Sequence, residues 1–213
     1  MSELVACIPA ELVKALDFQG LNVDRDQFLP LLSYAKHVRY LPRDFAETSE
    51  DWKQLIPYNV LVRKLDAHVL PFTVFSYLRG GGQGEKRLHG RRSIGVGGHV
   101  SDIDGDEDVL ARFNAGLQRE LHEELILTTE NGVPPLSFEP AALINDDSNA
   151  VGRVHLGVLY VHDVTGATVF TREVDILDPQ WASFSVLNGT LDEYESWSQL
   201  VIPALCTLVS EQV

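Results

Sequence analysis

The chain has 213 residues, 45% of them hydrophobic, and 31 Asp and Glu against 17 Lys and Arg give a formal net charge of −14. That length suits one α/β domain with an extension, or one domain plus a small subdomain, and the acidic balance argues against a protein whose main task is to grip a nucleic-acid backbone. Small anionic substrates stay open, because a bound cation and a few Arg or Lys reverse the field inside a cleft.

Cys7 and Cys206 have no His or Cys neighbours at metal-ligand spacing, so neither a zinc site nor a disulfide framework is expected. Glu3 stands where a signal peptide carries positive charge, and no run approaches the ~18–20 apolar residues of a membrane span. The expectation is a soluble protein of the cytoplasm.

Residues 1–55 read as a partly helical N-terminal extension. Pro9 opens a short helix over Ala10–Leu16, Asp26 to Tyr40 reads as a second helix with Pro30 in its first turns, and Pro42 to Asp51 reads as a loop. The main domain, 56–213, begins with strands at Asn59–Arg63 and Val69–Leu78. A glycine-rich basic loop follows, Arg79 to Arg87, then a glycine-broken strand from Ser93 to Val100 and an acidic loop at 102–108. Leu110, Phe113, Leu117, Leu121 and Leu125 form an apolar stripe, which predicts a helix over about 108–127. Strands are expected near Ala141–Ile144 and Val154–Val161, and a last helix over 192–209 that Pro203 kinks or divides.

The chemistry concentrates in Arg119-Glu120-Leu121-His122-Glu123-Glu124, shortly after the Gly97-Gly98 turn. Glu120, Glu123 and Glu124 stand at i, i+3 and i+4, within roughly 100° of one another on a helix surface. Like charges at i and i+4 destabilise a helix, so such a cluster makes sense where a divalent cation neutralises it. Mg²⁺ fits, a hard ion that takes carboxylate oxygens and is completed by water and substrate phosphates. The plainer alternative is a solvated acidic face, but these acids border the apolar stripe instead of lying opposite it.

Strand, Gly-Gly turn, loop and Arg-Glu-(apolar)-x-Glu-Glu helix together resemble the Nudix hydrolases, whose signature runs glycine, spaced glutamate, Arg-Glu-(apolar)-x-Glu-Glu-x-Gly-(apolar). Gly98, Arg119, Glu120, Leu121, Glu123, Glu124 and Leu127 match it. The runs Lys53–Tyr58, Ser93–His99 and Asn145–Asn149 look closest to a group of predicted bacterial Nudix-like phosphoesterases. Two departures stand out. The spaced glutamate has no clean match, with Ala111 at its helical offset from Arg119 and Glu107 a displaced candidate, and Ile126 replaces the late glycine.

The resemblance implies a Nudix-type α/β/α sandwich with a mixed β-sheet. It also implies a hydrolase that cleaves a diphosphate linked to another moiety, such as a nucleotide derivative, with Mg²⁺ or substituting Mn²⁺. Glu120, Glu123 and Glu124 would be the catalytic, metal-binding set, joined by the main-chain carbonyl of Gly97, with Arg119 and Gly98 in structural support. Arg79, Lys86, Arg87, Asp146 and Asp147 are the expected substrate contacts, while His99, His155, Trp181 and Trp197 read more simply as structural groups. No nucleic-acid or membrane partner is expected, and a homodimer stays open. The rival functions are a diphosphate isomerase of the isopentenyl diphosphate type, which needs a cysteine near the site, and a non-catalytic nucleotide-sensing module.

Overall fold

The computed structural model describes residues 3–33, 37–65, 71–81, 90–105 and 109–212. In chain order the elements are β1 (Leu4–Pro9), α1 (Ala10–Lys14), β2 (Gly20–Asn22), α2 (Arg25–Ser33), β3 (Arg39–Pro42), α3 (Arg43–Ala46), β4 (Trp52–Lys64) and β5 (Phe72–Arg79). Then come β6 (Arg92–Ser93), β7 (Gly95–Val96), α4 (Val109–Glu124), β8 (Leu125–Thr128), β9 (Ala142–Asn145), α5 (Ala150–Arg153) and β10 (His155–Asp163). The chain ends with β11 (Thr168–Thr171), β12 (Ile176–Ser183), α6 (Phe184–Gly189), α7 (Ser196–Val201) and α8 (Leu205–Gln212). The α/β class expected from sequence is the class observed. None of the described helices is long and apolar enough to cross a membrane.

Two compact units share the chain. The first joins residues 1–58, 97–120 and 140–159. In it β1 runs antiparallel to β3, with Cys7 opposite Arg39, and to β4, with Cys7 opposite Gln54. Strand β9 lies antiparallel between β10 and β2, through Ile144 opposite Gly157 and Leu21. Val5, Cys7 and Ala46 form a small core backed by Leu41 and Trp52.

The second unit joins residues 59–96, 121–139 and 160–213. Strand β5 lies antiparallel between β4 and β12, with Val74 opposite Val62 and Ala182, and it also pairs with β6. Strand β7 pairs antiparallel with β4, Val96 opposite Asn59, while Arg92 and Tyr194 make a parallel bridge. Strands β8 and β11 form a separate two-stranded sheet. Leu61, Phe75, Tyr77, Val96, Leu121, Leu125 and Leu127 belong to the core of this unit.

Several boundaries differ from expectation, each because pairing partners override local propensity. Of the helix expected over 26–40, Arg25–Ser33 is helical, 34–36 lie outside the described residues, and Arg39–Pro42 is a strand because β1 offers it an edge. Helix α4 ends at Glu124 rather than 127: Ile126 and Thr128 are β-branched, and the segment pairs with β11 from Leu125↔Thr171 to Thr128↔Thr168. Arg172 N–H donates to the Glu124 carbonyl at 2.8 Å and takes up one of the orphan carbonyls of that helix end. Strand β12 escapes sequence detection because Pro179 and the positive φ of Asp178, 43°, sit inside it. Strand β4 runs through the expected 55/56 boundary, and Pro203 divides the C-terminal helix as expected.

Candidate active site

Arg119 stands at the centre of a set of side-chain bonds on α4. Its Nε donates to Asp104 Oδ1 at 2.7 Å and its Nη2 to Asp104 Oδ2 at 3.1 Å, a two-pronged pairing. Nη1 donates to Glu120 Oε1 at 2.6 Å, and Nη2 also reaches the His99 carbonyl at 2.9 Å. The hydrogen bonds to Asp104 first, and then to Glu120, hold the guanidinium charged above even its ordinary range.

Asp104 is the acid that the sequence search misses. Its side chain is only 2% exposed, and Oδ2 also accepts the Ser101 N–H at 2.8 Å. Counted back from Arg119, the expected position falls on Ala111, and the displaced candidate Glu107 lies outside the described residues. Counted forward from Gly98, the acid appears six residues on, and it is an aspartate. Gly116 makes room for it, since a Cβ there would meet Asp104 Oδ2 at 2.7 Å.

Gly98 does the same for Glu120. A Cβ at residue 98 would stand 2.7 Å from Glu120 Cδ and closer still to Oε2. The glycine expected to support the site is thus the bare surface against which the first carboxylate rests.

Glu123 is exposed and Glu124 half-buried, both in the last turn of α4 with Glu120 one turn before. A helix C-terminus carries partial negative charge, so each acid there costs about 0.3–1 kcal/mol, and the Glu120/Glu124 repulsion adds to it. The only basic residue in that turn is His122. A divalent cation would relieve that repulsion, so the donor set suits a hard metal in kind. Among the described residues no three His, Cys, Asp or Glu side chains are gathered to hold an ion. Glu120 is turned onto Arg119 and Gly98.

The other expected contacts divide. Arg79 ends β5, its Nη1 reaching the Tyr77 hydroxyl at 3.5 Å, and Lys86 and Arg87 lie outside the described residues. Burial first pushes the Tyr77 hydroxyl pKa up, with the charges of Arg79 and Glu124 also felt there. Asp147 accepts from the buried Lys53 Nζ at 2.7 Å and from Gln19 Nε2 at 2.7 Å. Lys53 also donates to the Gly152 carbonyl at 2.8 Å, and burial pulls its pKa down against the pull of Asp147. Asp146 folds its own loop, accepting from Ser148 N–H at 3.1 Å and Asn149 Nδ2 at 3.0 Å, and Asn149 caps α5 through Gly152 N–H at 3.0 Å. Two of the sequence runs, Lys53–Tyr58 and Asn145–Asn149, therefore meet through Lys53 and Asp147. His99 and His155 place their rings 5.8 Å apart. Burial, then the nearby Arg43, hold the His99 pKa down to about 3.

A glycine turn against a carboxylate, and an Arg-Glu pair braced by an upstream acid ahead of a Glu-Glu helix end, stand on this α/β fold in the order of the Nudix signature. Comparison with known proteins agrees. The chain superimposes on the crystal structure of Tm1382, assigned as a Nudix hydrolase, with a TM-score of 0.75 and 28% identity over 97% of this chain and 100% of that one. It is 32% identical over 212 residues to Protein YmaB of Bacillus subtilis (strain 168), spanning 96% of this chain and 98% of that protein. No family model matches the chain. The chain belongs to the Nudix hydrolase superfamily and is an enzyme of that type.

Proposed function

We propose that this hydrolase is Mg²⁺-dependent, with Mn²⁺ as a working substitute, and that it cleaves a phosphoanhydride linking a diphosphate to another moiety in a small molecule, a nucleotide or nucleotide derivative. The carrying observation is the locked position of Glu120, between the braced Arg119 fork and the bare Gly98, on the helix end that also bears Glu123 and Glu124. Glu120, Glu123 and Glu124 with the Gly97 carbonyl would hold the metal. When bound, that ion draws charge from phosphate oxygens and lowers the pKa of a water molecule.

The chain's own residues supply orientation and charge. Arg119, fixed by Asp104, sets the direction of the Glu120 carboxylate. Arg79, with Lys86 and Arg87, meets phosphate oxygens by fork and point charge. Asp146 and Asp147 belong to the substrate side, Asp147 with one oxygen given to Lys53 and the other to Gln19. The net charge of −14 makes such local cations valuable for an anionic substrate. The test is a panel of diphosphate compounds with Mg²⁺ or Mn²⁺, read as phosphate release. Glu123→Gln and Glu124→Gln should each cut turnover by at least ~10²-fold on the best substrate. Wild-type turnover in both variants would rule this assignment out.

A further inference from the structure

The glycine strand that leads into Gly97-Gly98 has little backbone ladder of its own. Strands β6 and β7 are two residues each, broken at Ile94. Side chains do much of the holding instead. Ile94 N–H donates to Ser198 Oγ at 3.0 Å, and Ser93 Oγ donates to the buried Glu195 Oε1 at 3.2 Å. At the other end, Asn59 Nδ2 donates to the Val96 carbonyl at 2.9 Å.

That last bond is the end of a chain. His162 Nε2 stands 2.9 Å from Asn59 Oδ1, and His162 Nδ1 stands 3.1 Å from the Ser137 N–H. Both Asn59 and His162 have no exposed surface, and the Tyr160 ring lies parallel to the imidazole within 6°. The two ends fix every proton between them. A backbone N–H only donates, so Nδ1 carries the lone pair. A carbonyl only accepts, so Asn59 turns its NH₂ to Val96 and its oxygen to the imidazole. His162 is therefore neutral, protonated on Nε2, and donates to Asn59. Every link is satisfied, and a fully satisfied buried network holds its members in one arrangement.

We infer that His162 and Asn59 are positioning residues for the catalytic turn. The relay from Ser137 N–H through His162 and Asn59 fixes the plane of the Val96–Gly97 peptide, the base from which Gly97 turns its own carbonyl and the chain enters Gly98. This inference rests on the metal reading above, and it extends the machinery to two buried neutral side chains outside the Glu helix. A core polar pair with no such role could end on any carbonyl of the sheet. This one ends on the residue that precedes the turn.

The experiment uses the full chain. Asn59→Asp keeps an acceptor for His162 and replaces the donor to Val96 with a carboxylate oxygen that repels the Val96 carbonyl. In the folded variant, amide hydrogen exchange at Gly97, Gly98 and His99 should rise well above the change at β12, and Mn²⁺ affinity, read from the paramagnetic signal of free Mn²⁺, should fall about 10–100-fold. If Asn59→Asp does not fold, His162→Gln is read by the same criteria. In the wild type, ¹⁵N NMR of the His162 ring should show Nε2–H and a bare Nδ1. Exchange at residues 97–99 that rises no more than elsewhere, or an Nδ1–H ring, overturns the relay. Glu120→Gln separates the two ideas: equal Mn²⁺ binding by wild type and this variant removes the metal reading, while the exchange data still decide the relay.

Discussion

Replacing Asp104 by Asn should destabilise the protein while leaving its shape nearly unchanged. The carboxylate is 2% exposed and makes two bonds to Arg119, whose side chain is 25% exposed. Removing one partner of a buried ion pair costs about 3–5 kcal/mol, because the other charge stays behind unpaired. Here the guanidinium keeps Glu120 and the His99 carbonyl, and part of it reaches water, so the lower end applies, about 3 kcal/mol. For a chain of this size that corresponds to a melting temperature lower by about 6–12 °C. Turnover should fall as well, since an Arg119 no longer held on two prongs ceases to fix Glu120. Thermal and urea melts of Asp104→Asn, Arg119→Lys and the double variant give the coupling directly. Asp104→Glu is the packing control: even a Cβ at Gly116 would meet Oδ2 at 2.7 Å, so an added methylene has no free room. A wild-type melt for Asp104→Asn, or zero coupling in the cycle, refutes the reasoning.

Gly98→Ala and Gly152→Ala should behave oppositely. The first pushes the Glu120 carboxylate from its place on Arg119, so turnover falls and the melt drops only modestly; the second meets the backbone carbonyl of Asp146, so the melt collapses. Burial depresses the His162 pKa from 6.5 to about 4, so its neutral form stabilises the fold fully above pH 6.5 and that contribution is lost as pH falls toward 4. The slope is about 1.4 kcal/mol per pH unit, near 2 kcal/mol by pH 5, and His162→Gln should lose that share of the pH dependence in urea melts at pH 7.5 and 5. Millimolar Mg²⁺ or Mn²⁺ should raise the melting temperature by binding the folded state, and the Glu120→Gln/Glu124→Gln variant should lose the response; an unchanged response would put the ion elsewhere.

The helix and its acids were legible in the sequence because local periodicity encodes them: Phe113, Leu117, Leu121 and Leu125 recur at helical steps and are buried. Gly97-Gly98 was legible for a similar reason, as few turns need two adjacent glycines. Asp104 was not, because the 14 residues between it and Arg119 hide a contact that only the folded loop creates. The link between Lys53 and Asp147 spans 94 residues, and the relay from Asn59 to His162 spans 103. No periodicity connects positions so far apart, although Lys53 and Asp147 each lie in a run that the family resemblance had singled out. Strand β3 and the early end of α4 were missed for the same physical reason, since the partner strand decides them.

The interleaving of the two units has a consequence for how the protein is made. Neither unit is a continuous stretch of chain: the first waits for residues 140–159 and the second for residues up to 213. On the ribosome, β1, β3 and the start of β4 can pair early, but the partners of Lys53 and Asn59 are synthesised about a hundred residues later. Until then a buried-to-be lysine and an incomplete polar chain sit on exposed strands, the kind of intermediate that exposes edges and apolar surface. Synonymous changes that slow translation around residues 100–140 should therefore lower soluble yield without altering the finished protein, and shortening the wait should raise it.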